Sequence, residues 1–386
     1  MMKYSSGLWT KILFSVTLGI SVISVIYLWL KITIHSYNNM PIQHGVYSLE
    51  TDSLGVLVKK RPTNLSSNLR RTNATIRTHA KLEYTPTAAE SMWMSNESNR
   101  DVSSIFRNPW KQNVSNLEKM RSDLKEIVHT ELFLNRRNVK KSQKFKYMIP
   151  GGSLTTNLRF YKLMQEYSPE QTVYKRCSIV GNGGILNGSK CGSEIDKADF
   201  VIRCNAPPII GQFIEDAGVK SNITTLNPSI VIKRFGSLRT GSQQSKFINK
   251  MKEYNNYIWF PSFSSGLGIY NLAIKVNNLL NGKLKSIKFV HGNPNHFHEI
   301  RSYWLNKGLK NMLSTGIYIT TSSLLFCDEI HLYGFWPFST DIHNRPAAYH
   351  YYEDMKRTTY HAFNQEFDEL LNLHINGVLQ LHVKDC

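Results

Sequence analysis

From Cys177 onward the hydrophobic and polar positions alternate between two textures. Short runs rich in β-branched and aromatic residues predict strands at Ser178 to Val180, Phe200 to Arg203, Ile223 to Leu226, Tyr257 to Phe260, Ile287 to Val290 and Glu329 to Tyr333. Between them Gly268 to Leu280, Asn295 to Asn306 and Thr315 to Phe326 have helical spacing. Strand then helix, repeated, predicts an α/β domain with a mostly parallel sheet. Upstream, Leu117, Met120, Leu124, Ile127 and Val128 form another helical stripe, beginning after the change of texture at Phe106 to Trp110. Residues 31–105 have no sustained apolar period and are rich in Ser, Thr, Asn and basic residues, which predicts a mostly disordered stem. Ile12 to Leu30 carries no charge and lies between Lys11 and Lys31, long enough for a membrane-spanning helix. It ends in the bulky Tyr27-Leu28-Trp29-Leu30 rather than small residues, so an uncleaved anchor is expected in place of a secretory signal.

Composition favours one compartment. The chain has 386 residues, 41% hydrophobic and 11% aromatic, enough for a sizeable core. Asn-X-Ser/Thr triplets occur at Asn64, Asn73, Asn96, Asn113, Asn187 and Asn222, all on the C-terminal side of the span, whereas Asn227 is excluded by Pro228. Together they favour a lumenal body and the layout of a type II membrane protein. Residues 1–11 would be a cytoplasmic tail, 12–30 the signal anchor, 31–105 the stem and 106–386 the folded lumenal domain that carries any activity. There are five cysteines and no CxxC pair, which argues against a zinc ribbon; four could form two disulfides and leave one thiol. The formal net charge of +19 suits a polyanionic partner, and a lumenal address excludes nucleic acid. Arg136 to Lys146, basic without an acid, is either a solvated face or a docking patch for an acidic partner.

In open α/β sheets ligands bind beyond the carboxyl ends of the strands, near a switch in strand order. There the sequence puts VGNGGILNGSKCG, Val180 to Gly192, whose Asn182 and Gly183-Gly184 would let a backbone donor approach an anionic oxygen. It matches neither GxGxxG nor a P-loop. Asn205 would end the next strand at the same edge. Ser314, Thr315 and Gly316 would open a helix whose free N–H groups favour an anion, unless they are an ordinary cap. Trp336 offers a flat face for a ring, Tyr349 and His350 stand in YHYYE, and His361 and Glu366 stand in HAFNQE. An imidazole is a usual choice for removing a hydroxyl proton, although a single histidine is often structural. Asp-X-Asp, the usual metal clamp of sugar transferases, does not occur, and helix ends, hydroxyls and a histidine could stabilise a monophosphate leaving group instead. His291, His296 and His298 are a weak alternative as zinc ligands, with no HExxH nearby.

Four ordered segments carry a family resemblance. CSIVGNGGILNGSKCGSEIDKADFVIRCNAPP with DAGVKSNITTLNPS, LSTGIYITTSSLLFCDEIHLYGFW, HYYE and HAFNQE resemble the large, small, third and very small motifs of animal sialyltransferases, in the alpha-2,8 branch. The resemblance covers the chain from Cys177 onward. It implies a Rossmann-like glycosyltransferase domain, a GT-A variant, that is inverting, uses CMP-sialic acid as donor and needs no cofactor and no metal. It also implies that Asn182, Asn205, Ser314, Thr315, Gly316, Trp336, Tyr349 and His350 hold the donor, that His361 is the base and that His350 stabilises departing CMP. Pairing of Cys177 with Cys327 and Cys191 with Cys386 would leave Cys204 free.

Within the branch the chain resembles the oligo- and polysialyltransferase subgroup. Lys275, Lys283, Lys285, Lys288, Arg301, Lys307 and Lys310 lie where that subgroup has a basic track for its polyanionic product, and Arg136 to Lys146 where it has a basic carrier-docking region. Gly183 stands where the subgroup usually has Ser, and Glu299 interrupts the track. The expected partners are a sialylated glycoprotein or glycolipid acceptor, a Golgi membrane reached through the single span, and a second copy in a homodimer. The competing readings are transfer of one or a few residues to gangliosides, and a membrane-tethered polyanion receptor without chemistry.

Overall fold

A computed structural model describes residues 48–51, 57–60, 102–354 and 360–386. The expected tail, the anchor, nearly all of the stem and the triplets at Asn64, Asn73 and Asn96 lie outside the described residues. The chain divides into two units, Met1–Thr85 and Pro86–Cys386. In the first, β1 (Ser48–Thr51) pairs antiparallel with β2 (Leu57–Lys60). Among the described residues no helix is long and apolar enough to cross a membrane.

The second unit carries the site. Its helix α1 (Val114–Lys125) is capped by Asn113, whose side chain accepts from the Asn116 N–H, and it buries Leu117, Met120 and Leu124. The helical stripe predicted to continue through Ile127 and Val128 ends in a turn at Leu124 instead. After β3 (Phe133–Leu134), β4 (Lys144–Lys146) and β5 (Ser153–Thr155) pair antiparallel, and α2 (Leu158–Leu163) follows. The predicted βα alternation then holds. The elements are β6 (Tyr174–Val180), α3 (Gly192–Asp196), β7 (Phe200–Arg203), α4 (Ile214–Ala217), β8 (Ile223–Thr225), α5 (Pro228–Phe235), α6 (Gly241–Met251) and β9 (Asn256–Phe260). The chain continues through α7 (Gly266–Lys283), β10 (Ile287–Gly292), α8 (Pro294–Asn306), α9 (Thr315–Ser323), β11 (Cys327–Tyr333), α10 (Phe363–Ile375) and β12 (Gln380–His382).

Eight strands form one sheet in the order β12-β11-β6-β7-β8-β9-β10-β3. All its pairs are parallel except β10 with β3. Period two along each strand serves two cores. Ile258 and Phe260 of β9, with Ile287 and Phe289 of β10, face α5, α6 and α7, whereas Trp259 and Val290 belong to the core with α1, α8, α9 and α10. The chain adds strands on one side of β6 as far as β10 and then returns to add β11 and β12 on the other side. The order therefore switches between β6 and β11, where a parallel sheet opens a crevice at its carboxyl edge. Two disulfides close long loops: Cys177 with Cys327, which links β6 to β11, and Cys191 with Cys386, which ties the loop after β6 to the end of the chain. Cys204 is free and buried, and burial pushes its thiol up to about 12.

Candidate active site at the carboxyl edge of the sheet

The loop after β6 is pressed against the loop after β11. The Gly183 N–H donates to the Gly334 carbonyl (2.9 Å), and the Gly184 N–H donates to the Ala348 carbonyl (3.2 Å). A Cβ built on Gly183 would sit 2.7 Å from the Gly334 oxygen, and one on Gly184 would sit 2.1 Å from the Ala348 oxygen. Both contacts are with backbone, so the absence of a side chain is what lets the loops meet. Asn182 lies between them. Its Nδ2 donates to the Cys204 carbonyl (2.9 Å), and its Oδ1 is buried without a protein partner. A buried acceptor left open is costly, and a ligand donor arriving at this edge of the sheet would satisfy it.

Beyond β7, Asn205 and Ala206 both have positive φ, 64° and 46°. Asn tolerates this region and Ala does not, so the turn must be held from outside. It is held by the end of β8: the Asn205 N–H donates to Thr225 Oγ1 (2.9 Å) and the Ala206 N–H to Thr224 Oγ1 (3.2 Å). The Asn205 side-chain oxygen accepts from the Asn227 N–H (3.3 Å), and Asn227 Nδ2 donates to Thr315 Oγ1 (3.0 Å). One chain of bonds thus joins β7, the start of α5 and the first residue of α9. Asn227, Thr224 and Thr225 were not singled out from the sequence as site residues; the Asn-Pro step that opens α5 was the available signal for Asn227.

The N-terminus of α9 is also fixed from behind. Ser314 caps it by accepting from the Ile317 N–H (3.3 Å), and its own N–H donates to Glu366 Oε1 (2.7 Å). A Cβ on Gly316 would be 2.8 Å from the Phe335 ring, so the first turn lies against that ring. Glu366 is buried, which raises its carboxyl above the usual range, while the Ser314 bonds and the nearby His361 oppose that rise. His361 Nδ1 is 2.8 Å from the Met312 carbonyl. A carbonyl only accepts, so Nδ1 carries the proton and Nε2 keeps the lone pair of a base.

His350 faces Glu353 (Nδ1 to Oε1, 3.1 Å), and Glu353 in turn pairs with Arg234 of α5. Burial lowers the His350 pKa, and Glu353 offsets part of that loss. The ring stacks on Tyr349 (centroids 4.4 Å apart) and on Tyr352 (5.2 Å). Trp336 differs from expectation. It is buried, donates Nε1–H to the Thr340 carbonyl (2.7 Å) and meets Phe338 and Phe367 edge to face. Its ring is a wall of the core beside the crevice, rather than the open face predicted for it.

The remaining candidates separate. His291 lies between Ser262 Oγ (2.7 Å) and Asn277 Nδ2 (3.2 Å), and burial pushes it down to about 3. His296 bonds the Thr130 carbonyl and Ser322 Oγ. His298 is half-buried and bonds the Tyr147 backbone, so all three histidines are already engaged by protein groups. Among the described residues no group of three or more His, Cys, Asp or Glu is placed to hold a metal ion. Glu299 is turned onto the loop before β3, where Oε2 accepts from the His129 and Thr130 N–H groups and from Thr130 Oγ1. That carboxylate no longer interrupts a surface track. The track itself is split from the crevice: Lys283 ends α7, Lys285 follows it and Lys288 is the second residue of β10, all at the amino edge of the parallel strands. Lys275 donates to the Ser237 carbonyl, Arg301 lies within α8, and Lys307 and Lys310 follow that helix. Asn113 and Asn187 are exposed, whereas Asn222 is half-buried with its side-chain oxygen accepting from the Val201 N–H.

Residues 102–378 match the family model for glycosyltransferase family 29 (sialyltransferase). A bovine alpha-N-acetylneuraminide alpha-2,8-sialyltransferase is 38% identical over 237 residues, covering 61% of this chain. That match spans 66% of the bovine protein, just under two thirds of its length. A human alpha-2,8-sialyltransferase 8E is 32% identical over 284 residues, covering 72% of this chain and 75% of the relative. Among solved structures, a mammalian sialyltransferase matches 78% of this chain and 87% of its own, with 20% identity and a TM-score of 0.39.

Proposed function

The chain belongs to glycosyltransferase family 29, the sialyltransferases, and on that premise we propose that it transfers sialic acid from CMP-sialic acid to the 8-hydroxyl of a terminal sialic acid on glycoprotein N-glycans. The observation that carries this reading is the His361 tautomer: Nδ1–H is held on the Met312 carbonyl, which leaves Nε2 as a base beside the α9 N-terminus. In the proposed step Nε2 takes the proton of the acceptor hydroxyl as its oxygen forms a bond to the anomeric carbon of the donor. The bond from that carbon to the CMP phosphate oxygen breaks, and the configuration inverts. The open Asn182 Oδ1, Asn205, Thr315 and Gly316 orient the nucleotide. The N–H groups at the start of α9 and protonated His350 stabilise the charge that develops on the phosphate.

The compartment belongs to the same proposal: a single N-terminal span in the Golgi membrane, with the catalytic unit lumenal and homodimeric. The test uses the detergent-solubilised full chain with CMP-sialic acid and a sialylated glycoprotein, with EDTA present. Release of CMP together with new alpha-2,8 linkages supports the reading. No CMP release overturns it.

A second reading, a short product of one or a few residues that includes ganglioside acceptors, is favoured by the place of Lys283, Lys285 and Lys288 at the amino edge, away from the crevice. Changing all three to Gln should shorten product chains while the rate of first transfer stays the same if these residues guide a polymer. If chain length is unchanged, the short-product reading gains.

A further inference from the structure

Against the loop after β6 lies a cleft of about 220 Å³. Three segments build it: the loop after β6 with Gly184, Asn187 and Gly188, the loop after β11 from Asp341 to Ala347, and the C-terminal residues Val383 to Asp385. Its walls are mixed. Arg345, Lys384 and Asp385 are polar, while Pro346 and Val383 are apolar. The Arg345 guanidinium is oriented by Asp341, to which its Nε donates (2.6 Å), with the rest of the fork exposed.

The volume is below that of the pockets that bind drug-sized molecules, and the alternation of hydrogen-bonding and apolar surface suits a single sugar ring. Asn187 itself lines the cleft and is exposed, and it opens the triplet Asn187-Gly188-Ser189. Its segment cannot swing away. The Gly188 and Lys190 N–H groups are held by Asp216 (2.7 and 2.9 Å), the Cys386 N–H donates to the Ser189 carbonyl (2.9 Å), and the Cys191–Cys386 disulfide follows at once.

We propose that Asn187 is N-glycosylated and that the first N-acetylglucosamine of that glycan is seated in this cleft, bracing the loop of Asp341 to Ala347 against the C-terminal tail. A ring linked to Asn187 Nδ2 starts one bond from the cleft. Its hydroxyls can bond Arg345 and Asp385, and its acetamide methyl can lie on Pro346 or Val383. The far end of the braced loop is Ala348, whose carbonyl holds Gly184 and whose chain runs directly into Tyr349 and His350. The sugar would thus stiffen the donor site from outside without touching donor or acceptor. This rests on the lumenal location proposed above.

The test expresses the full chain in secretory cells and maps occupied asparagines by glycopeptide mass spectrometry. Hydrogen exchange in residues 341–347 is then compared for the native glycoprotein, the same protein trimmed by an endoglycosidase to one N-acetylglucosamine per site, and Asn187→Gln. The expected result is an occupied Asn187, unchanged exchange after trimming, and exchange faster by about tenfold in Asn187→Gln. Arg345→Ala, which keeps the glycan but loses a partner of the ring, should show an intermediate increase. Glycans on Asn113 or Asn222 with Asn187 bare would overturn the inference while leaving the lumenal location standing. The absence of glycan at every site would overturn both. An occupied Asn187 with equal exchange in all forms would show that the sugar projects into solvent and would also overturn it.

Discussion

Gly183→Ser is the substitution that tests most sharply how the crevice is assembled, since the oligo- and polysialyltransferases that the sequence resembles usually have Ser at this position. The backbone of Gly183 is in a region open to any residue (φ −56°, ψ 141°), so the cost cannot come from conformation. It comes from contact. The new Cβ would lie 2.7 Å from the Gly334 oxygen, 3.2 Å from the Gly334 carbonyl carbon and 3.3 Å from the Trp336 oxygen. None of these atoms can rotate out of the way, and the Gly334 oxygen is fixed by its bond from the Gly183 N–H. The loop after β11 must therefore shift, at about 1–3 kcal/mol for overpacking of this kind. For a catalytic unit of this size that corresponds to a fall in melting temperature of roughly 1.5–2 °C per kcal/mol. Because the same shift disturbs the wall next to Asn182, the KM for CMP-sialic acid should rise with little change in kcat. Thermal melts and donor-dependent initial rates on the purified variant check both. A variant that melts with the native protein and keeps its KM would refute the packing account of this loop.

Other expectations follow from the same geometry. Glu366→Gln keeps an oxygen for the Ser314 N–H and should cost little, whereas Glu366→Ala leaves that buried donor unpaired at about 1–3 kcal/mol and should raise the donor KM; steady-state kinetics of the pair distinguish them. Glu353 opposes the burial that lowers the His350 pKa, so Glu353→Gln should lower it further and move the alkaline limb of the pH–rate profile to lower pH. Burial pushes His291 and His382 down to about 3 and His374 to about 4, from an ordinary 6.5. Below pH 6.5 the unfolded chain therefore takes up protons that the folded chain refuses. The stability these groups contribute is intact above 6.5 and falls as the pH drops toward 4, by up to about 1.4 kcal/mol per pH unit for each. Urea midpoints at pH 7 and pH 5 measure the fall.

The sheet was legible because its strands are buried on both faces and bounded by turn residues, so Val180, Arg203 and Tyr333 could be aligned at one edge from sequence alone. The short elements were not. β3 has two residues and β12 three, and each exists through its pairing, with Gly292 and His291 in one case and with His331 to Tyr333 in the other. The site was half legible. Asn182, Asn205 and Thr315 stand at ends of elements that periodicity locates. Asn227 and the Thr224 and Thr225 hydroxyls act through the turn at Asn205 and Ala206, whose positive φ values arise from tertiary contacts. Trp336 was misjudged because an aromatic after a strand reads the same whether its ring lies open or is covered, and here Phe338 and Phe367 cover it. Glu299 was read as a gap in a surface track because nothing local shows that the chain at His129 and Thr130 returns to it.

The most direct test of the central claim is His361→Ala, with CMP release and CMP binding measured on the same preparation. If Nε2 is the base, turnover should fall by about 10²–10⁴-fold while the Kd for CMP stays essentially unchanged. A parallel loss of binding and turnover, or turnover within a few-fold of the native protein, would contradict it.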